Sequence, residues 1–109
     1  MKRTRRAMLE AHGWRLGTAA DFLGLTSEEA AFIETKLALA QRVRDRRRSQ
    51  GLSQAALAKR LASSQSRVAK MEAADPTVSV DLVLRALFAL GAKPNDVASA
   101  IRKGRSLAR

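Results

Sequence analysis

The stretch from residue 51 to residue 72, GLSQAALAKRLASSQSRVAKME, constrains the fold of this chain more than any other feature. It predicts two short helices joined by a tight turn. Ser53 is expected to cap the first helix, because a serine hydroxyl can accept a hydrogen bond from an unpaired backbone N–H in the first turn. Leu57 and Leu61 are four residues apart and therefore share one face of that helix.

The second helix of this stretch is expected to follow Ser64, which can cap it in the same way. Val68 and Met71 are its inward positions. Its outward positions are Gln65, Ser66, Ala69 and Lys70. A short helix with small or polar outward residues after a capped turn is typical of a helix-turn-helix, whose second helix lies in the major groove of DNA.

The segments LSQAALAKRL and SSQSRVAKME resemble the helix-turn-helix of the phage-repressor or XRE family. From GWRLGTAADFLGLT to LRALFALGA, roughly residues 13–92, the chain is similar to HigA-type antitoxins of type II toxin–antitoxin pairs. We therefore expect an all-α, compact, phage repressor-like bundle of about five helices, with a long first helix and a short N-terminal extension. The expected parts are the extension (residues 1–25), the DNA-binding domain (residues 26–92), and a short C-terminal helix with a basic tail (residues 93–109).

Composition agrees with a small helical DNA-binding domain. A chain of 109 residues suits one domain, and runs of β-branched and aromatic residues typical of strands are missing. Lysine and arginine number 21 against 10 aspartates and glutamates, a formal charge of +11. Such an excess favours polyanionic partners, because each neutralised phosphate releases condensed counterions.

Several classes of function are disfavoured. The absence of cysteine excludes a disulfide framework and thiolate metal sites. A lone histidine, His12, makes neither a metal site nor a catalytic triad. We therefore expect no enzyme, no metal, no cofactor and no small-molecule substrate. No apolar run is long enough to span a membrane, and the basic start MKRTRR lacks an apolar signal core, so a cytoplasmic location is expected.

The N-terminal extension contains the single tryptophan, between two glycines in GWRLG. Trp14 and Leu16, with Phe22 further on, can be read as an anchor for a protein partner. Trp14 can equally be read as a cap on the helical core. In antitoxins that the chain resembles, the segment flanking the DNA-binding domain can bind the toxin, and this implies a RelE/HigB-like toxin as a possible partner of residues 1–25.

A long helix is predicted from a capping box to about Gln50. Thr26 is the N-cap, Glu29 is the third helical residue, and Gly51 fits the left-handed position that ends the helix. More than twenty residues exceed the usual helix length of a compact domain. Either the helix bends near its middle, or its first half leaves the domain and packs against a second copy.

The second half of that helix is rich in arginine. Five arginines within seven positions encircle the helix, so they cannot all face one groove. Arg44, Arg46 and Arg48 are expected to contact phosphates, for which the guanidinium fork is suited. The family resemblance implies a structural ion pair between Arg47 and Glu72, which braces the long helix against the recognition helix.

The remaining DNA contacts are assigned by position within the motif. Gln54 matches a family glutamine that hydrogen-bonds to a DNA phosphate and supports the side chains that contact bases. Lys59 and Arg60 can reach the phosphate backbone of the DNA. The residues expected to contact bases are Gln65, Ser66, Arg67 and Lys70. Arg67 is set off that face and can meet either a base or a phosphate. Glutamine suits adenine, and lysine suits guanine.

The turn departs from the usual pattern, because Ser63 stands where the family often has glycine. Either Ser63 takes a less favourable backbone conformation, or the turn shifts slightly. Ser79 should cap a helix that is apolar nearly all round. That helix either closes the core on one face and meets a partner subunit on another, or lies in one crowded core. A last short helix should start at Pro94, and the tail beyond Gly104 looks loose.

Together these features predict a sequence-specific transcriptional regulator that binds double-stranded operator DNA as a homodimer on a two-fold site. The resemblance implies the antitoxin of a type II pair, which represses its own operon and neutralises its toxin. The alternative is a stand-alone XRE-family regulator with no toxin partner.

Overall fold

The computed structural model describes the backbone of residues 23–108 and the side chains of residues 23–103. Within that range the chain forms five helices and no strand. They are α1 (Ser27–Ser49), α2 (Gln54–Arg60), α3 (Gln65–Glu72), α4 (Val80–Ala89) and α5 (Pro94–Ala108). The predicted all-α helix-turn-helix bundle with a long first helix is confirmed. Trp14, Leu16 and Phe22 lie outside the described residues.

Four helices begin at the caps that the sequence predicts. The Thr26 hydroxyl accepts a hydrogen bond from the Glu29 N–H at 3.0 Å, and the Glu29 carboxylate accepts one from the Thr26 N–H at 2.8 Å. Ser53, Ser64 and Ser79 each accept from the backbone N–H three residues further on. These bonds satisfy N–H groups that have no partner within the helix.

The C-terminal helix is longer than predicted. It runs from Pro94 to Ala108, whereas the sequence suggested a short helix and a loose tail beyond Gly104. A glycine inside a helix is unfavourable by about 1 kcal/mol relative to alanine. That penalty does not stop a helix that is already propagating, because each further residue adds a hydrogen bond without a new nucleation step.

The core lies between α1 and the four shorter helices. α1 packs against α3, α4 and α5, and α2 packs against α3. The largest fully buried side chains are Leu39, Leu57, Met71, Leu87, Val43, Val68, Val78 and Val83. On α4, which reads as apolar all round, Val80, Leu82 and Leu84 are half-buried against this core, and Phe88 is exposed.

Arg46 of α1 and Gln50, which caps the C-terminus of α1, hold the C-terminal end of α4. Arg46 Nε donates to the Leu90 carbonyl at 3.1 Å, and Gln50 Nε2 donates to the same oxygen at 2.7 Å. The last carbonyls of a helix lack partners within it, so these bonds satisfy one of them. Lys36 is buried in a similar role, and its Nζ donates to the Asp75 carbonyl at 3.1 Å in the loop after α3.

The turn between α2 and α3 is strained one residue earlier than predicted. Ala62, not Ser63, has a positive φ, of 53°. A left-handed conformation costs a non-glycine residue about 1–2 kcal/mol, because Cβ approaches the carbonyl oxygen. Ala62 takes this conformation because it follows the C-cap of α2 in a Schellman motif, in which the Ala62 N–H donates to the Lys59 carbonyl at 3.1 Å and the Ser63 N–H to the Ala58 carbonyl at 2.9 Å.

We predict that Ala62→Gly stabilises the protein by about 0.5–1 kcal/mol, because the relief of the left-handed strain exceeds the entropy that glycine adds to the unfolded chain. Urea denaturation followed by circular dichroism measures the change. The matched control is Ala69→Gly inside α3, which should destabilise by about 1 kcal/mol. A loss of stability in Ala62→Gly would show that the turn is not strained.

Candidate nucleic-acid interface

The exposed face of α3 is set by what its opposite face buries. Val68 and Met71 are fully buried, and Leu57 of α2 packs into the same core. The side chains on the outer face of α3 are exposed. They are Gln65, Ser66, Arg67 and Lys70. The helix therefore presents to solvent two amide- or hydroxyl-bearing side chains and two cationic ones, which can donate hydrogen bonds to phosphates or base edges.

An ion pair fixes the C-terminal end of α3 to α1. Arg47 Nε donates to Glu72 Oε2 at 2.6 Å, and Nη2 donates to Oε1 at 3.0 Å. The third bond of the guanidinium goes from Nη1 to the Leu52 carbonyl at 2.7 Å. The two side chains are only 10% and 5% exposed. This two-pronged geometry restricts the angle between the helices more tightly than a single bond would.

Gln54 joins this pair from α2. Its Nε2 donates to Glu72 Oε1 at 3.2 Å, and the residue is half-buried. Glu72 therefore receives hydrogen bonds from α1 and α2 while it belongs to α3. One amide hydrogen of Gln54 and its amide oxygen are not used in this bond, so the side chain keeps capacity for a further hydrogen-bonding partner.

The environment of Glu72 keeps it ionised. Burial raises the pKa of its carboxyl, but the hydrogen bonds from Arg47 and Gln54 and the charges of Arg47 and Arg44 outweigh burial. The net result is a pKa below the ordinary value for glutamate. The hydrogen bond to Glu72 also raises the pKa of Arg47. Both partners stay charged at neutral pH, as an ion pair requires.

A model of the helix-turn-helix domain matches residues 38–100, which is more than half of the chain and spans the second half of α1 to the first half of α5. The chain belongs to the helix-turn-helix domain family. No curated protein and no solved structure matches the chain.

This helix-turn-helix domain is a DNA-binding, XRE-like domain, and α3 is the second helix of its motif. Its motif is positively charged. Residues 54–72 contain Lys59, Arg60, Arg67 and Lys70 against the single acidic Glu72, whose charge is paired with Arg47. Lys59 and Arg60 are exposed at the end of α2. The outer surface of the motif therefore attracts a polyanion.

The arginines that precede the helix-turn-helix point to different sides of α1, because successive side chains are rotated around the helix axis. Arg44 and Arg48 are exposed, and Arg44 is close enough to Glu72 for its charge to lower the carboxyl pKa. Arg47 is buried. Arg46 is half-buried on the other flank, where it is bound to the Leu90 carbonyl. The structure thus brings Arg44 towards the motif but places Arg46 against α4.

Sequence reasoning missed some contributions to this arrangement. The Lys36 bond to Asp75 and the Arg46 bond to Leu90 each link residues about forty positions apart, and no local pattern signals them.

Within the described residues, no group of three or more potential metal-ligating side chains is clustered, and no helix is both long and apolar enough to cross a membrane.

We predict that Glu72→Ala destabilises the helix-turn-helix domain by about 3 kcal/mol or more, because it leaves Arg47 buried without a countercharge. Chemical denaturation at pH 7 measures the loss. Asp45→Ala removes an exposed carboxylate of α1 and serves as the control, with an expected change within about 0.5 kcal/mol. If the two variants lost equal stability, the ion pair would have no special role.

Proposed function

We propose that the protein is a sequence-specific DNA-binding transcriptional regulator whose helix α3 enters the major groove. The observation that carries this proposal is the outward orientation of Gln65, Ser66 and Lys70 on a positively charged motif that is braced from behind by Arg47 and Glu72. A recognition helix must keep its reading side chains free, and here they take no part in holding the fold.

The proposed base contacts follow from side-chain chemistry. Gln65 can form two hydrogen bonds with adenine, Lys70 can donate to O6 and N7 of guanine, and the Ser66 hydroxyl can pair with several base edges. Arg67 is assigned to a base or to the neighbouring phosphate. Gln65 and Ser66 occupy the first turn of α3, and Lys70 lies one turn beyond Ser66, so one helix face covers neighbouring base pairs.

The proposed phosphate contacts surround this face. Lys59 and Arg60 end α2, and Arg44 and Arg48 lie on the exposed side of α1. Gln54 can bond a phosphate with the amide hydrogen that Glu72 does not use. Arg46 can add to this set only through its Nη groups, because its Nε donates to the Leu90 carbonyl at the end of α4.

We further propose that the regulator acts as a homodimer on a two-fold operator. One α3 of eight residues covers only a few base pairs. Two recognition helices in successive major grooves, about 34–36 Å apart, would double the read sequence and use the symmetry of a dimer. Operator binding at a promoter would then repress transcription by excluding the polymerase.

The specific role as an antitoxin is supported by the sequence resemblance over roughly residues 13–92. Under this proposal, the protein represses its own operon and residues 1–25 bind a RelE/HigB-like ribonuclease toxin. The alternative is a stand-alone regulator. A neighbouring reading frame that encodes a small basic ribonuclease-like protein would favour the antitoxin.

The DNA-binding proposal predicts a division of labour between side chains. An operator is first selected from random duplexes. Gln65→Ala and Lys70→Ala should then each reduce the difference in binding free energy between the preferred base pair and the others by about 1–3 kcal/mol per base pair read. Lys59→Ala should instead weaken binding to all sequences alike and reduce the slope of log K against log salt by about one. Fluorescence anisotropy at several salt concentrations measures both effects.

The matched control is Arg102→Ala, which removes one exposed positive charge from α5, a helix that packs against α1 rather than the helix-turn-helix. It should change neither specificity nor salt slope appreciably. If the selection yields no preferred sequence, the proposal of specific recognition is wrong. If all three motif variants lose discrimination equally, the assignment of base and phosphate contacts is wrong.

The antitoxin proposal predicts that removal of residues 1–25 abolishes toxin binding and leaves operator binding largely intact, because Thr26 and the whole capped bundle are retained. Co-purification with the product of the neighbouring reading frame, and anisotropy with the operator, measure the two activities. Unchanged toxin binding by the shortened protein would show that the toxin binds outside residues 1–25.

A further inference from the structure

The first half of α1 carries apolar side chains that the described part of the chain does not cover. Phe32 is 56% exposed, Ile33 is 37% exposed and Leu37 is 46% exposed. Ile33 and Leu37 are four residues apart and share a face of the helix. Leu39 and Val43 lie on a different face of α1 and are buried. We call Ile33 and Leu37 the α1 stripe.

The charges of α1 are divided along its length. The first half has three glutamates, Glu28, Glu29 and Glu34, and one buried cation, Lys36, whereas the second half has five arginines and one aspartate, Asp45. If two copies of α1 paired in parallel, each acidic half would face another acidic half. With Ile33 level with Leu37, antiparallel pairing would instead place Glu28 of each copy level with Arg42 of the other, and it would also oppose the helix dipoles.

Net charge restricts where two copies can meet. Each chain carries a formal +11, so most pairs of surfaces repel each other. Among the described residues, the first half of α1 is an exception, because it carries three glutamates. Phe88 is another exposed apolar side chain, but Arg85 is exposed one turn before it on α4, so pairing there would bring positive charges together. Acidic side chains around the α1 stripe also disfavour contact with phosphates.

We propose that the α1 stripe is an interface for a second copy of this chain, with the two α1 helices antiparallel and Ile33 of one copy packed against Leu37 of the other. This inference rests on the dimeric regulator proposed above and specifies its interface. Antiparallel pairing generates a two-fold axis and a closed dimer. The interface is separate from the outer face of α3, so both recognition helices stay available to DNA.

Disulfide cross-linking tests the contact directly, because the chain contains no cysteine. Full-length Ile33→Cys and Leu37→Cys proteins are mixed without DNA, allowed to exchange and oxidised. A non-reducing tryptic digest separates the possible products, since Lys36 lies between the two positions. We expect the cross-link between positions 33 and 37 to dominate over the links between identical positions. Ser66→Cys, on the outer face of α3, is the control and should not cross-link above background.

Other outcomes of the same experiment would overturn the proposal. Dominant links between identical positions would indicate a parallel pair. Efficient cross-linking of a Phe88→Cys protein, with none at positions 33 and 37, would place the interface on α4. Absence of every cross-link, with the mass of a single chain in sedimentation equilibrium, would mean that residues 1–22 or a different protein cover the stripe.

Sedimentation equilibrium gives the energetic test. Leu37→Glu should raise the dissociation constant of the dimer by at least about tenfold, because it places a charge in the centre of the contact. Its circular dichroism spectrum should be unchanged, since Leu37 is exposed in the single chain. Phe88→Glu is the matched control and should dimerise as the wild type does. An unchanged constant for Leu37→Glu would refute the interface.

These measurements need no DNA. Failure of the protein to select an operator would therefore count against the proposed function, whereas failure of the cross-link would count against the interface alone.

Discussion

The orientation of the recognition helix depends on one buried ion pair. Glu72 at the end of α3 is bound by Arg47 from α1 and by Gln54 from α2, so a single carboxylate joins three helices. Such a pair adds little net stability, because removing two charges from water costs about as much as their attraction returns. Apolar contacts would bury as much surface but would allow the helices to slide. The directional bonds of a guanidinium and a carboxylate instead hold α3 at one angle.

This arrangement separates the residues that hold α3 from those that face solvent. Val68, Met71 and Glu72 secure the helix from its inner side and its end. Gln65 and Lys70 lie on the outer face and are not needed to hold α3 against the other helices. Substitutions on the outer face of α3 can therefore alter that surface without loss of stability, since packing is carried by other side chains.

The arginines of α1 show why residue type alone does not define a role. Arg47 is buried in the ion pair, Arg46 is bound to the end of α4, and Arg48 faces solvent, although the three are consecutive. Each step along a helix turns the side chain by about 100°. Consecutive residues therefore meet the core, a neighbouring helix and water in turn. The same periodicity leaves Ile33 and Leu37 exposed on the face of α1 that also carries the exposed Arg44 and Arg48.

The sequence by itself determined the local features: the caps at Thr26, Ser53 and Ser64, and the inward and outward faces of α3. These depend on bonds and spacings within a few residues, so they can be read directly from the chain. Only the tertiary structure decided that Ala62 carries the strain of the turn and that Arg46 and Lys36 bind carbonyls about forty positions away. Such contacts depend on how helices pack, and a long flexible side chain can reach many partners until packing selects one.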